Sequence, residues 1–287
     1  MVKTALKKTA AARSKRKPKL GQNFLTDREV ARHIVEALGD VSNRTVIEIG
    51  PGRGALTDLL IPRAKRVIGI ELDRVLAAQL RMRYATKPNV EILESDFVTA
   101  EFASIVGRRP GPLHDLRPTQ PETVDVLGNL PYYITSDIVL RILELHQNIE
   151  RAVIMVQREV ADRLAAEPGS RDYGLLSATA QLFARVENLF TVPPGAFAPP
   201  PQVYSAVLRL TMAPRLEELQ VEEAPFIVFL KLAFAQKRKT LMNNLRGPYA
   251  DAGIRAALKG AGLRADVRAE AVPLAKMAAV FRALHQA

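Results

Sequence analysis

The chain has 287 residues with no Cys and no Trp, 48% hydrophobic and 25% charged residues, and a formal net charge of +11. The apolar fraction excludes a disordered polymer, and the lack of Cys excludes a disulfide scaffold, a thiolate nucleophile and thiolate metal ligands. No apolar run approaches the roughly 20 residues of a membrane span, so no membrane partner is expected, and the lack of Cys fits a reducing compartment, with a cytoplasmic location expected. Charge is uneven. Residues 1–26 hold eight Lys and Arg and no acid, residues 27–212 hold 21 basic against 23 acidic residues, and residues 213–287 hold 12 against 7. A near-neutral middle between basic ends points to a polyanion such as nucleic acid.

Residues 1–19 read as a basic, disordered tail. It has no apolar core of a secretory signal. An organellar transit peptide is one reading, and an RNA-contacting arm is the other, favoured by six Lys against two Arg. Thr26 with Glu29 forms a capping-box signature, and the helix it opens is expected to run to about Leu38 with Gly39 as its stop. A β-branched strand over Thr45–Ile49 ends in Gly50-Pro51-Gly52-Arg53-Gly54, and a helix is expected from about Ala55 to Arg63. Further strands are expected at Arg66–Ile70, closed by Glu71, at Val90–Leu93, closed by Glu94-Ser95-Asp96, and at Val124–Leu127, closed by Gly128-Asn129-Leu130-Pro131-Tyr132-Tyr133. Helices are expected over Arg74–Tyr84, Ser136–Leu145 and Glu159–Ala166, with a fifth strand at Ala152–Val156. The stretch 107–122, with four Pro and two Gly, reads as a surface loop.

Strands alternating with helices describe an α/β, doubly wound, mostly parallel sheet of Rossmann-like form. Two late strands, near Val186–Val192 and Tyr204–Leu210, follow each other with no helix between them and place one antiparallel strand in that sheet. After about Met212 the pattern is wholly helical, and Pro225–Leu245 reads as one helix stopped by Gly247-Pro248. Three segments are therefore expected: the tail 1–19, a ligand-binding domain 20–212 and a small helical domain 213–287.

Ligands of such sheets sit beyond the C-terminal strand ends. The polar ends Gly50–Gly54, Glu71, Asp96 and Asn129 should thus share one crevice. The glycines let a ligand approach the backbone, Glu71 lies at a spacing suited to ribose hydroxyls, and Asp96 can accept from an exocyclic amine. The glycine turn also fits the dinucleotide pattern with an acid about 20 residues on, which keeps a nicotinamide-dependent oxidoreductase open at this point. Asn129-Leu130-Pro131-Tyr132 argues against it. An amide oxygen, a carbonyl held by Pro131 and an aromatic face suit a planar base bearing an amino group, not a hydride donor. The four His (His33, His114, His146, His285) show no metal-ligand spacing, and no metal is expected.

The runs LGQNFLTD, IEIGPGRGALT, VIGIELD, ESDF and GNLPYY, followed by FAPPPQVYSAVLRL and AFAQKRKTLMNNL, resemble the ribosomal RNA adenine N6-dimethyltransferase family over residues 18–247. Leu130 between Asn129 and Pro131 points to its small-subunit branch. The resemblance implies S-adenosyl-L-methionine as cofactor, held by Asn23, Leu25, Gly50, Glu71, Asp96 and Asn129. It implies dimethylation of two adjacent adenosines in a hairpin loop near the 3′ end of small-subunit (16S) rRNA, by a monomer acting on an assembling small ribosomal subunit. Asn129, Leu130, Pro131 and Tyr132 would be catalytic, and Lys237, Arg238 and Lys239, expected on the long C-terminal helix, would contact RNA phosphates. Alternatives are a resistance-type large-subunit methyltransferase and a non-catalytic ribosome-assembly or transcription factor on the same fold. Tyr133 and Asp137 depart from the residues usual in the family, as do the 107–122 loop and the tail in length.

Overall fold

A computed structural model of the chain describes residues 23–106 and 123–285. The tail 1–19 and the loop 107–122 lie outside the described residues. The first half alternates strand and helix: β1 (Phe24–Leu25), α1 (Arg28–Glu36), β2 (Thr45–Ile49), α2 (Thr57–Leu60), β3 (Arg66–Glu71), α3 (Arg74–Arg83), β4 (Val90–Glu94), α4 (Phe102–Val106), β5 (Val124–Asn129), α5 (Thr135–Glu144), β6 (Ile149–Gln157) and α6 (Arg158–Leu164). Then follow α7 (Leu175–Phe183), β7 (Ala184–Val192), β8 (Phe197–Ala198) and β9 (Ser205–Met212). The remaining named elements are helices: α8 (Leu216–Leu219), α9 (Glu223–Ala233), α10 (Leu241–Leu245), α11 (Asp251–Gly260) and α12 (Leu274–His285), with one short 3-10 turn between the last two.

Seven strands form one sheet in the order β4-β3-β2-β5-β6-β9-β7, and β1 pairs with β8 in a separate two-stranded ribbon. β2 to β6 run parallel, while β9 is antiparallel to both of its neighbours. This is the expected mostly parallel sheet with one reversed strand. All five residues of β2 are buried, as a central strand covered by helices on both faces requires. The strand order reverses between β2 and β5, so the crevice beyond their carboxyl ends is the natural ligand position.

Three local expectations need correction, and one helix was not expected. Asp27, not Thr26, caps α1: its side chain accepts from the Glu29 and Val30 amides, while the Thr26 hydroxyl donates to the Ala196 carbonyl at 3.1 Å. The helix expected over 55–63 shrinks to Thr57–Leu60 because Pro62 has no N–H with which to continue the ladder. Helix α7 escaped the sequence reading. It is apolar nearly all round and its residues Leu176–Ala180 are buried, so it carries no amphipathic period. The helix expected over 225–245 is two helices. α9 stops after Ala233, where the Asn244 amide donates to the Ala233 carbonyl (2.7 Å) and the Gln236 carbonyl (3.2 Å), and Thr240 opens α10 by accepting from the Asn243 amide. Lys237, Arg238 and Lys239 therefore sit on the exposed turn between these helices, not on a helix.

The helices after Met212 share a continuous apolar core with the sheet. Phe226 and Phe229 of α9 and Phe281 of α12 pack edge and face on one another and belong to the same buried cluster as Ile47, Val126 and Phe183. No described helix is long and apolar enough to cross a membrane.

Candidate active site

A cavity of about 1070 Å³, counted to its open mouth, lies beyond the carboxyl ends of β2, β3, β4 and β5. Every cofactor position expected from the sequence lines it: Asn23, Leu25, Gly50, Glu71, Asp96 and Asn129. So do Leu130, Pro131 and Tyr132. The parallel sheet makes this convergence unavoidable, because each of these residues ends or follows a strand pointing the same way.

The glycine turn shapes one wall. Gly52 has φ +59°, a conformation that L side chains rarely adopt, and a Cβ there would press on the Phe24 ring at 3.3 Å. Its amide donates to Glu71 Oε2 at 2.9 Å, and the Asp73 amide donates to Oε1 at 2.9 Å. Glu71 is thus no helix cap, since Asp73 caps α3 by accepting from Val75 and Leu76. Each Glu71 oxygen holds one backbone donor, which fixes the carboxylate and leaves further lone pairs for a ribose. Burial pushes its carboxyl above the ordinary value of 4.5, while the two amide donors oppose that shift. Asp96 is oriented in the same manner by the Val98 amide, 2.9 Å from Oδ1. A turn of small residues at one wall, with two anchored acids along the next strands, fits an adenosine carrying a chain: its sugar, its amino group and a path for the tail.

The opposite wall is the strand end of β5. Asn129 Nδ2 donates to the Asn23 carbonyl at 3.2 Å, so this amide presents its oxygen as the group left for a ligand. The Leu130 amide donates to the Met155 carbonyl at 3.0 Å, and the Pro131 carbonyl accepts from the Thr135 hydroxyl at 2.9 Å. These bonds hold the Leu130 carbonyl in place. The Tyr132 hydroxyl meets Ser205 Oγ at 2.7 Å, which pins the ring to the start of β9. The strap Asn23–Leu25 closes the cavity from above. It is tied down by β1–β8 pairing and by the Arg53 guanidinium, 4.2 Å from the centre of the Phe24 ring.

Several lining residues were not singled out from the sequence: Phe24, Glu48, Arg53, Leu72 and Phe97. Leu72 was findable, since it directly follows Glu71 at the end of β3, and its exposed side chain offers an apolar cover at the cavity. Glu48 is the least expected, a carboxyl 1% exposed in the middle of β2. It accepts from the Thr57 hydroxyl at 2.6 Å. Burial raises its pKa from 4.5 to about 8, against the Thr57 bond and with help from the nearby Glu71 and Asp58 carboxylates. The folded chain therefore keeps this proton over a range in which the unfolded chain releases it. That contribution to stability is complete below about 4.5 and is lost as pH rises through about 8. Glu48→Gln should flatten this slope, so that the variant gains on the parent in urea unfolding between about pH 5 and about pH 8. Parallel stability curves for the two chains over that interval would contradict the assignment.

Comparison with known proteins agrees with this geometry. The family described as "Ribosomal RNA adenine dimethylase" matches residues 13–286. The "Ribosomal RNA small subunit methyltransferase A" of Koribacter versatilis is 62% identical over 271 residues, covering 94% of this chain and 95% of that protein. The protein of the same name from Acidobacterium capsulatum is 54% identical over 279 residues, covering 97% and 94%. Among solved structures, the 23S rRNA methyltransferase ErmE superposes with a TM-score of 0.65 at 30% identity, over 92% of this chain and 100% of that one. A dimethyladenosine transferase from Plasmodium falciparum superposes with a TM-score of 0.69 at 23% identity, over 89% and 95%, which speaks for the fold. With its Rossmann-like sheet, its nucleoside-shaped crevice and a family match over nearly its whole length, the chain belongs to the ribosomal RNA adenine dimethylase family.

Proposed function

We propose that this chain transfers methyl groups from S-adenosylmethionine to N6 of two adjacent adenosines in a hairpin loop near the 3′ end of small-subunit (16S) rRNA, two to each nitrogen. The observation that carries the reading is the meeting in one cavity of the glycine turn, Glu71 and Asp96 with Asn129-Leu130-Pro131-Tyr132. The 62% identity to a small-subunit enzyme outweighs the 30% identity to a large-subunit one in choosing the RNA. The intact Asn129–Tyr132 run argues against a purely structural assembly factor. We further propose that the chain works as a monomer in the cytoplasm, on an assembling small subunit, with 20–212 holding the cofactor and 213–287 the RNA.

When bound, the cofactor supplies an electrophilic methyl group on a sulfonium. Gly50 and the Asn23 and Leu25 strap would enclose it, Glu71 would hold its ribose and Asp96 its adenine. The chain's own task is to make adenine N6, whose lone pair is delocalised into the ring, act as a nucleophile. The Asn129 amide oxygen and the Leu130 carbonyl accept from the two N6 hydrogens, which favours a pyramidal nitrogen and aims its lone pair. Pro131 keeps that carbonyl fixed, and Tyr132 holds the base by stacking. Positioning and preorganised dipoles of this kind suffice for catalysis without a dedicated base, because the N6 ammonium that methylation leaves is strongly acidic and gives its proton to water. Primer extension across both rRNAs in a strain lacking the gene, with and without the gene restored, tests the choice of RNA. Unmodified adenosines in the large-subunit RNA alone would overturn it.

A base enters such a pocket only by leaving its stack, at a cost of a few kcal/mol that contacts elsewhere must offset. Lys237, Arg238 and Lys239 suit this role, on a turn fixed at both ends by Asn244 and Thr240, and the Lys237 ammonium reaches the Arg171 carbonyl at 2.6 Å. Neutralising all three is expected to flatten the salt dependence of rRNA binding by about two to three phosphate contacts. Deleting residues 1–17 should weaken binding less. An unchanged salt slope in the triple variant, with a large change on the deletion, would make the tail the main RNA anchor.

A further inference from the structure

Seven large hydrophobic side chains are notably exposed among the described residues: Leu72, Val75, Met82, Tyr133, Val203, Tyr204 and Val228. Three of them lie on two loops joined by a single hydrogen bond. Tyr133 follows Tyr132 and lines the cavity mouth, with 58% of its surface in solvent. Val203 and Tyr204 precede Ser205, the partner of the Tyr132 hydroxyl, and Tyr204 is 51% exposed. The backbone beneath them is firm. Ser205 pairs with both Gln157 and Val192, and the Tyr204 carbonyl accepts from the Arg158 amide at 3.0 Å. The Arg158 side chain is itself 64% exposed and held only loosely, 3.8 Å from Asp162.

Resting on the reading that a flipped adenine occupies the Asn129–Tyr132 pocket, we propose that Tyr133 and Tyr204 form an aromatic rim on which the unpaired nucleotide next to that adenine stacks. The occupant follows from continuity with the pocket. When one of two adjacent adenosines is inserted, the chain of the RNA leaves its neighbour within one nucleotide of the mouth, with the face that had stacked on the flipped base bare. Two exposed phenol rings on rigid supports, with the exposed Arg158 bonded through its backbone amide to Tyr204, are a combination that binds single-stranded nucleic acid without reading its sequence. Such a rim would hold the second adenosine ready while the first is modified. It would also explain why Tyr133 at the cavity and Tyr204 next to Ser205 are left in water, where smaller polar residues would serve a mere loop.

The test is a binding cycle, read by fluorescence anisotropy with S-adenosylhomocysteine present so that no turnover occurs. The probes are an RNA hairpin whose loop holds two adjacent adenosines and the same hairpin with one of the two made abasic. The full-length parent chain is expected to bind the abasic hairpin roughly 5- to 150-fold more weakly, the range of base–aromatic stacking. A Tyr133→Ala, Tyr204→Ala double variant should bind the intact hairpin as weakly and show no further loss on the abasic one. Tyr133→Phe with Tyr204→Phe should restore the parent's behaviour, which mere loss of a hydroxyl contact would not. Losses that multiply in the double variant, or a double variant that binds both hairpins like the parent, would overturn the rim. Methylation of the intact hairpin by labelled S-adenosylmethionine is scored separately. A parent that binds with the full cycle yet transfers no methyl group would leave the rim standing and remove the proposed reaction instead.

Discussion

Asn129→Ala is expected to lower the single-turnover rate of methyl transfer by roughly 10²- to 10³-fold, the scale on which one preorganised polar contact to a reacting group acts. RNA affinity should change by no more than about threefold, because the amide's bond to N6 strengthens as the nitrogen pyramidalises and counts for little before that. The structure adds a second duty, since Asn129 Nδ2 also ties down the strap through the Asn23 carbonyl. Asn129→Asp separates the two. It keeps an acceptor for the base but loses the donor to Asn23. A rate loss in Asp as deep as in Ala would assign the effect to the strap, and near-normal rates in Ala would remove Asn129 from the chemistry.

Glu71→Ala is expected to weaken S-adenosylmethionine binding by roughly 1.5–3 kcal/mol, the range for hydrogen bonds to a charged group. Glu71 also accepts from the Gly52 and Asp73 amides, so truncation frees two backbone donors and loosens the glycine turn. Calorimetry with a cofactor analogue lacking the ribose hydroxyls distinguishes the two effects. The parent should bind the analogue more weakly than the cofactor, and Glu71→Ala should no longer tell them apart. A variant that remains folded and still discriminates would show that Glu71 does not hold the ribose.

Strands were legible wherever a β-branched run met a glycine, an acid or an amide, because central parallel strands are buried on both faces and end at the ligand. The convergence of the expected cofactor positions followed from that same topology: Gly50, Glu71, Asp96 and Asn129 close or follow successive strands and arrive in one cavity. What escaped notice depended on contacts distant in sequence. The Asn244 amide that ends α9 lies 11 residues beyond the Ala233 carbonyl that it caps, and periodicity carries straight through the break. Thr26 has the right chemistry for a cap but is drawn off by Ala196, 170 residues away. Glu48 sits inside a central strand buried on both faces, and its Thr57 partner, nine residues on, is visible only in the fold. Tyr133 and Tyr204, far apart in sequence, follow and precede the two residues of the Tyr132–Ser205 bond, which spans 73 residues.

The most direct measurement is transfer from S-adenosylmethionine carrying a labelled methyl group. The chain is incubated with small ribosomal subunits lacking the modification, and separately with large subunits, and the labelled bases are mapped. Two adjacent adenosines near the 3′ end of the small-subunit rRNA are expected to carry label, each as N6,N6-dimethyladenosine, with large subunits unlabelled. Label confined to large-subunit RNA, or to any atom other than adenine N6, would contradict the reading of the Asn129–Tyr132 pocket.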